Sequence, residues 1–529
     1  MKKKLFALLM VFVMVFSLAA CGSDDGGEGG EGGDAPAKTR IVIADDEWYG
    51  TDNYQQDTWS SVQSLIADPI FSIDPETGAL IDGICTDLEV SEDGLTMTMK
   101  VPAGRKFANG ADLDAGDVKA SIEYGHEVGV YADGFSNIES IDVDGETVVF
   151  HLSTFRSDLL YYLGECFMAV IDSEQLETMT TDELMWGAIP YGPYYVESYE
   201  PGSNVTLKAN PYYSTYCPLV ENTGVMPVEE IFVKFNTEEF TAIEELKSGE
   251  IDYWSGVTPD AMKQLEGVEG VNIQDKTYPE IAFMEINTSE SSIFNDVRLR
   301  QAICLAMDRD AFCELTDGAS QAEYAMIIDS MLYYNADAEK HFEENYANDL
   351  DKAIALLEEA GWTDTDGDGY RDKDGQILEF GMYASTDSTR QIIVQGMQEQ
   401  FRQIGLKMNA EAIDWNYVHE YLYADDYDLG IHSLGWMEPI LIFNSCFDDK
   451  DAANNTPEYL EKVDAVAATV DDAERSVALG ELQINDLYPE WNMIPLYSPK
   501  NYIAYTDAIT GVNVLPNSFI YWNDLNIAQ

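Results

Sequence analysis

The sequence predicts an α/β protein with mixed sheets, and two patterns carry that class. Helical periods recur: Leu299, Ala302, Ile303 and Ala306 fall at i, i+3, i+4 and i+7, as do Leu350, Ala353, Ile354 and Leu357. Strand-like runs stand between such segments, as in Leu95 to Val101, where Leu-Thr-Met-Thr-Met-Lys-Val alternates with period two. Strands and helices that alternate along a chain build layered α/β sheets. At 529 residues, and roughly 150 residues per domain, there is room for about three domains or two lobes.

In chain order, the first element is an export signal. Lys2, Lys3 and Lys4 precede an apolar run from Leu5 to Ala20, shorter than the roughly 20 residues of a membrane span. The run ends Leu18-Ala19-Ala20-Cys21, which resembles a bacterial lipobox. That resemblance makes residues 1–20 a lipoprotein signal peptide and Cys21 the lipid attachment point. Residues 21–37 hold almost nothing to bury and read as a flexible Gly/acidic linker. Gly27 to Gly32 formally fits GxGxxG, but no strand precedes it and no helix follows, so it cradles no phosphate.

Arg40 to Ala44 reads as a strand that stops at the acidic, aromatic segment Asp45 to Tyr49. Asp68-Pro69 and Thr77-Gly78 mark turns between short strands. A helix begins near Asp114 to Asp117 with Val118 and Ile122 on one side. Thr237 to Lys247 reads as a helix with Asn236 as N-cap, Glu239 at N3 and Gly249 closing it, and Ile251-Asp252-Tyr253 returns as a strand. Ile393, Met397, Phe401 and Ile404 make another helix stopped by Gly405, and Pro457 after Thr456 starts one more with Pro at N1.

Charge and cysteine content narrow the function. The net charge is −68, and loss of the three signal lysines takes the mature chain to −71. Nucleic acid is excluded as a partner, because neutralising phosphates needs Lys and Arg. Most of this charge is a solvated surface, and what remains favours a cationic or zwitterionic ligand. Cys85, Cys166, Cys217, Cys304, Cys313 and Cys446 include no CxxC pair, so they read as buried small residues with room for one or two disulfides.

No catalytic constellation is present in the sequence. GxSxG, HExxH and GxxxxGK[ST] are all missing, and the five histidines at 126, 151, 341, 419 and 432 are scattered. Asp364, Asp366 and Asp368 with Gly369 copy the start of a calcium loop, but position 12 is Gly375 rather than a bidentate glutamate. A polar turn explains those residues better, with calcium as the minority reading.

The run Ser91 to Val101, then Phe107-Ala108-Asn109-Gly110 and Ala115-Gly116-Asp117-Val118, resembles the signature of the family 5 extracytoplasmic solute-binding proteins. Ile138 to Leu152, Ile189 to Tyr195, Asn210 to Tyr213, Leu246 to Asp252, Asp296 to Ala302, Asp308-Arg309, Leu356 to Trp362, Tyr427 to Leu429 and Gly435-Trp436 follow in the family's order. The resemblance covers essentially the whole mature chain. It implies the two-lobed periplasmic-binding-protein fold (class II, cluster C) with an extra domain inserted in the first lobe. Residues 38–71, 190–286 and 496–529 would form domain I, 72–189 the inserted domain II, and 287–495 domain III, the second lobe.

The same resemblance implies a monomeric receptor of an ABC importer, without enzymatic activity or cofactor. It captures peptides, oligopeptides in particular, between its two lobes and hands them to a membrane permease; a non-peptide solute (an amine, a glycan or a metal chelate) or a sensory role without transport is the alternative. Candidate ligand-binding residues are aromatic and polar groups near strand ends: Trp48, Tyr49, Asn287, Tyr383, Trp415 and Trp436. Peptide receptors of the family hold the peptide amine with an aspartate three residues after the Gly-Trp pair. Here that position is Pro439, and Glu438, one residue early, is the candidate to hold the amine if the loop is one residue shorter. The family's arginine for a peptide carboxylate corresponds to Ser433 or about Ala384, neither of them basic.

Overall fold

The computed structural model describes residues 39–55, 60–75, 77–165, 168–276, 278–414, 417–418, 427–447, 457–487, 492–515 and 520–528. Cys21, the linker, Cys166 and Trp415 lie outside them. Chain order begins with β1 (Arg40–Asp45), whose Ile41 and Ile43 are completely buried. The chain then leaves for a separate four-stranded sheet of β2 (Thr86–Val90), β3 (Thr96–Lys100), β4 (Ile138–Asp144) and β5 (Thr147–Leu152), ordered β2-β3-β5-β4. Period two in the sequence does the sorting: Met97 and Met99 face inward opposite Phe150 and Val148.

Helix α1 (Ala115–Val128) covers this small sheet with Val118 and Ile122 buried. Asp114 caps its first amides while Asp117 reaches back to the Asp114 N–H, a reciprocal capping box. A short helix α2 (Ser157–Leu163) follows β5, and two further short helices, Ser173–Thr178 and Thr181–Gly187, precede the return to the first sheet.

The first lobe resumes with β6 (Tyr194–Glu200), β7 (Asn204–Ala209), β8 (Glu230–Phe235), α3 (Glu239–Ser248), β9 (Tyr253–Val257) and β10 (Val271–Lys276). Strands β8 and β9 flank β1 and both run parallel to it, so β8-α3-β9 is a crossover unit. Helix α3 starts later than the sequence suggests. Asn236 has φ of 52°, turning the chain out of β8, and its side chain donates to Glu47 instead of capping. Gly249 closes the helix as expected, in the left-handed region at φ of 75°.

The second lobe holds β11 (Glu280–Ile286), α4 (Val297–Ala306), β12 (Ser320–Ala322), α5 (Leu350–Glu359), β13 (Glu379–Ser385), α6 (Ser388–Gln403), β14 (Lys407–Ile413), β15 (Leu429–Gly435), α7 (Pro439–Phe447), α8 (Asp472–Leu482) and β16 (Met493–Pro499). Its sheet is ordered β12-β16-β11-β15-β13-β14. Helices α4 and α5 bury Leu299, Ala302, Ile303, Ala306, Ala353 and Leu357 as their periodicity requires, while Ile354 is partly buried and Leu350, at the first position of α5, is exposed. β17 (Asn501–Thr506) then rejoins the first sheet, ordered β10-β17-β9-β1-β8-β7-β6.

Among the described residues the chain passes between the two large sheets twice, from β10 to β11 around Tyr278-Pro279 and from β16 to β17 at Lys500. These exchanges differ from the sequence division in a definite way. β11, residues 280–286, pairs with β15 and β16 in the second sheet, and β16 extends beyond Pro495 to Pro499. Both strands are contiguous in sequence with strands of the first lobe, and only pairing distinguishes them.

Candidate functional site

Ligands of layered α/β proteins sit beyond the carboxyl ends of parallel strands. In the first lobe that edge carries Asp45 and Asp46 after β1 and Lys276 at the end of β10. Asp45 accepts from the Ser61 N–H at 2.6 Å and from the Ser255 hydroxyl. Asp46 is exposed, yet its surroundings are walled enough that burial, then the charge of Asp45, raises its pKa. Burial lowers the pKa of Lys276, against the pull of both aspartates.

An edge of the second lobe is made by the start of β11, the end of β15 and the first turn of α6. Glu280 lies opposite Gly435, and burial raises its pKa against the opposing pull of Ser433 and Arg390. Arg390 donates to the Ser433 hydroxyl at 2.9 Å and lies 3.4 Å from the Tyr497 hydroxyl. A guanidinium therefore stands at the position whose sequence counterpart, Ser433, is uncharged. Tyr278, in the crossover, donates to the Gly435 carbonyl at 3.1 Å and its ring occupies the space a Cβ at 435 would need.

From Gly435 the chain runs toward the inserted domain. Trp436 is partly buried and lines a cavity of about 470 Å3 with Tyr131, Asp133, Arg156, Tyr162 and Asp464. Arg156 of the inserted domain bridges that seam: it pairs with Asp158 at 2.8 Å and with Asp464 of the second lobe at 2.6 Å. Met437 packs in the core of the first lobe, and its carbonyl accepts from Leu332 at 2.8 Å. Glu438 is completely buried and is the N-cap of α7: one carboxylate oxygen accepts from the Ile440 N–H at 3.1 Å. Burial pushes its pKa up to about 8. Nearby Glu165 is pushed up to about 8 for the same reason.

The other sequence candidates are dispersed. Trp48 is completely buried and meets Trp186 and Tyr199 edge-on at 6.3 and 5.4 Å, while Trp186 stacks on Tyr199 at 5.0 Å. Its neighbour Tyr49 is half exposed, 3.5 Å from Glu47. Asn287 follows the far end of β11: its N–H donates to the Asp428 carbonyl at 3.0 Å and its side-chain amide to Tyr427 at 3.0 Å. That is the end of the sheet opposite Gly435, so Asn287 does not join the inter-lobe edge. Tyr383 packs on Val418 and Tyr427. Lys276, Glu280, Arg390 and Arg156 escaped the sequence reading, because strand ends and a first helical turn carry no spacing signal.

Asp364, Asp366 and Asp372 bring carboxylate oxygens within 4.8 Å of one another. Asp372, from the following hairpin, thus replaces Asp368 in the cluster. Asp364 caps the Gly367 and Gly369 N–H groups, Asp366 the Asp368 N–H, and Asp368 the Tyr370 N–H, so the segment is an Asx-type turn built on its own backbone. The five described cysteines, Cys85, Cys217, Cys304, Cys313 and Cys446, are free and buried.

Two lobes, each built on its own mixed sheet and joined by paired crossovers, define a two-lobed binding-protein fold. The family model for bacterial extracellular solute-binding proteins, family 5, matches residues 79–450, and the chain belongs to that family. It is 23% identical over 464 residues to the oligopeptide-binding protein AppA of Bacillus subtilis, covering 82% of this chain and 81% of that one. It is 25% identical over 311 residues to a dipeptide-binding protein of Escherichia coli, covering 54% and 56%.

Solved structures share the fold. AppA from Bacillus subtilis in complex with a nonapeptide superposes with a TM-score of 0.72 at 20% identity, covering 93% of this chain and 99% of that one. NikA from Brucella suis in complex with Fe(III)-EDTA gives 0.79 at 20% identity, covering 93% and 100%. No helix among the described residues is long and apolar enough to cross a membrane.

Proposed function

We propose that this protein captures peptides between its two lobes and delivers them to the permease of an ABC importer. The observation that carries this reading is the charged pair on either side of the Tyr278-Pro279 crossover. Asp46 and Lys276 stand on one edge, and Glu280 and Arg390 on the other. Each edge pairs a carboxylate with a cation, which suits a zwitterionic solute with polar backbone and two charged ends. Trp436 supplies an apolar wall, and Tyr49 an exposed ring beyond β1. The named relatives that bind oligopeptides and dipeptides support the solute class.

Delivery needs a site near the membrane. The lipobox-like ending at Cys21 would supply an anchor of two or three acyl chains, since a single chain holds only marginally. Cys21→Ala is expected to release or misprocess the protein while leaving solute affinity unchanged. Native mass spectrometry of the purified protein tests the function itself, with co-purified peptide as the expected finding. A peptide at 100 times its Kd should add about 2.7 kcal/mol of stability. A melting temperature unmoved by peptide pools, together with an empty mass spectrum, would reject peptides as the solute.

A further inference from the structure

A second cavity, of about 230 Å3, lies between the inserted domain and the second lobe. Its walls are mainly apolar: Ile73, Leu80, Leu88, Val90, Leu160 and Leu332. Five side chains with polar atoms line it as well: Ser157 at the start of α2 and Glu438 at the start of α7, with Tyr161, Tyr333 and Asp472. Ser157 is 1% exposed and Glu438 0% exposed. Neither the Ser157 Oγ nor the Glu438 Oε2 meets hydrogen-bond geometry with a described residue, although the Tyr333 hydroxyl lies close enough to Glu438 to lower its pKa against burial.

Burying such atoms without partners is costly, and a cavity that carries two of them together is unfinished without a ligand. The Glu438 Oε1 already accepts the Ile440 N–H, so a proton on the neutral acid belongs on Oε2. Ser157 offers a second O–H. We infer that this pocket receives an uncharged group with an apolar body and a hydrogen-bond-accepting oxygen at its tip, such as a carboxamide. Glu438 and Ser157 both donate to that oxygen. An engineered apolar cavity of about 150 Å3 accommodates benzene, so this one has room for an aromatic or branched amide. The occupant is either a side chain of the captured solute or a separate small molecule.

Burial favours the neutral acid here. The charged and titratable groups around it are Asp158 and Tyr162 on α2, Tyr333 in the loop before residue 336, and Arg475 and Asp472 on α8. Asp158 raises the pKa of Glu438 and Arg475 lowers it, and the Asp158 charge is itself paired with Arg156. An incoming ammonium would find the Glu438 carboxyl protonated and the other carboxylate of the lining, Asp472, exposed and already paired with Arg475.

The test uses the full chain and fluorine NMR of three probes of one shape: 4-fluorobenzamide, 4-fluorotoluene and 4-fluorobenzylamine. At pH 6.5 the amide should bind at least about tenfold more tightly than the toluene, the yield of two buried hydrogen bonds, and the amine most weakly. Above pH 8 the affinity for the amide should fall by up to about tenfold per pH unit as Glu438 ionises. Glu438→Gln keeps an acceptor for Ile440 and a donor toward the cavity, so it should bind the amide with no pH dependence. Ala79→Phe, introduced from an exposed position on the cavity rim, should abolish binding without touching either donor.

Competition separates the two sources. Displacement of the amide by a glutamine-containing peptide, but not by its norleucine counterpart, assigns the pocket to a solute side chain. Failure of both to displace it assigns the pocket to a free molecule. Tightest binding by the amine, equal binding of amide and toluene, or no binding at all overturns the proposal. None of these three outcomes touches the peptide-capture reading, which rests on the other edge.

Discussion

At the scale of single residues, the buried cations decide what the chain tolerates. Arg475 is completely buried on α8, with its guanidinium 4.5 Å from the centre of Tyr333 and 5.6 Å from that of Phe155. It donates to the carbonyls of Thr469 and Val470 and to Asp472. Arg475→Ala leaves a cavity and strands those carbonyls, so a loss of about 3 kcal/mol or more is expected in chemical denaturation. Arg475→Lys should recover little of it, because an ammonium has no planar face for the rings and no fork for the carbonyls. A loss under about 1 kcal/mol for the alanine variant would show that the packing around Arg475 relaxes freely.

Among elements, the capping box of α1 lends itself to measurement. Asp114→Ala removes acceptors from the Gly116 and Asp117 N–H groups at 2.7 and 3.3 Å. It should cost about 1 kcal/mol, read as a lower denaturation midpoint with an unchanged m-value. The start of this helix near Asp114 was legible in the sequence, as were the amphipathic helices α4, α5 and α6, because period and turn chemistry are local; the reciprocal cap itself came from the structure. The two-lobed organisation entered through resemblance, and the strand exchange between lobes was not legible. Residues 271–286 form two strands in close succession, and only pairing reveals that they belong to different sheets. For the same reason Asn287 looked like a crossing residue, whereas the crossing lies at Tyr278-Pro279 and β11 carries Asn287 away from it. Arg390 was invisible because its role depends on Ser433, a partner 43 positions away.

For the whole molecule, stability should depend on pH through buried carboxyls. Burial pushes Asp68 and Glu323 up to about 7, and Glu165 and Glu438 up to about 8. In the unfolded chain such groups titrate near pH 4. Between roughly pH 4 and pH 8 the native state therefore holds more protons than the unfolded state, and stability falls as pH rises through that window. The melting temperature should drop from pH 5 to pH 8, and the double variant Glu165→Gln, Glu438→Gln should flatten the slope. A melting temperature that climbs over this range, or a slope the double variant leaves intact, would count against these assignments.

The crossovers have a consequence for how such a protein can be taken apart and rebuilt. Lys276, the last residue before the chain leaves the first lobe, pairs in register with Asn501, almost the first after it returns. The entire second lobe is therefore one uninterrupted segment spliced into a hairpin between neighbouring antiparallel strands. Replacing residues 277–500 by a two-residue Asn-Gly turn would restore an ordinary hairpin at that point. Conversely, a second lobe from another member of the fold can be transplanted through the same two cuts, with the sheet register of the recipient left undisturbed.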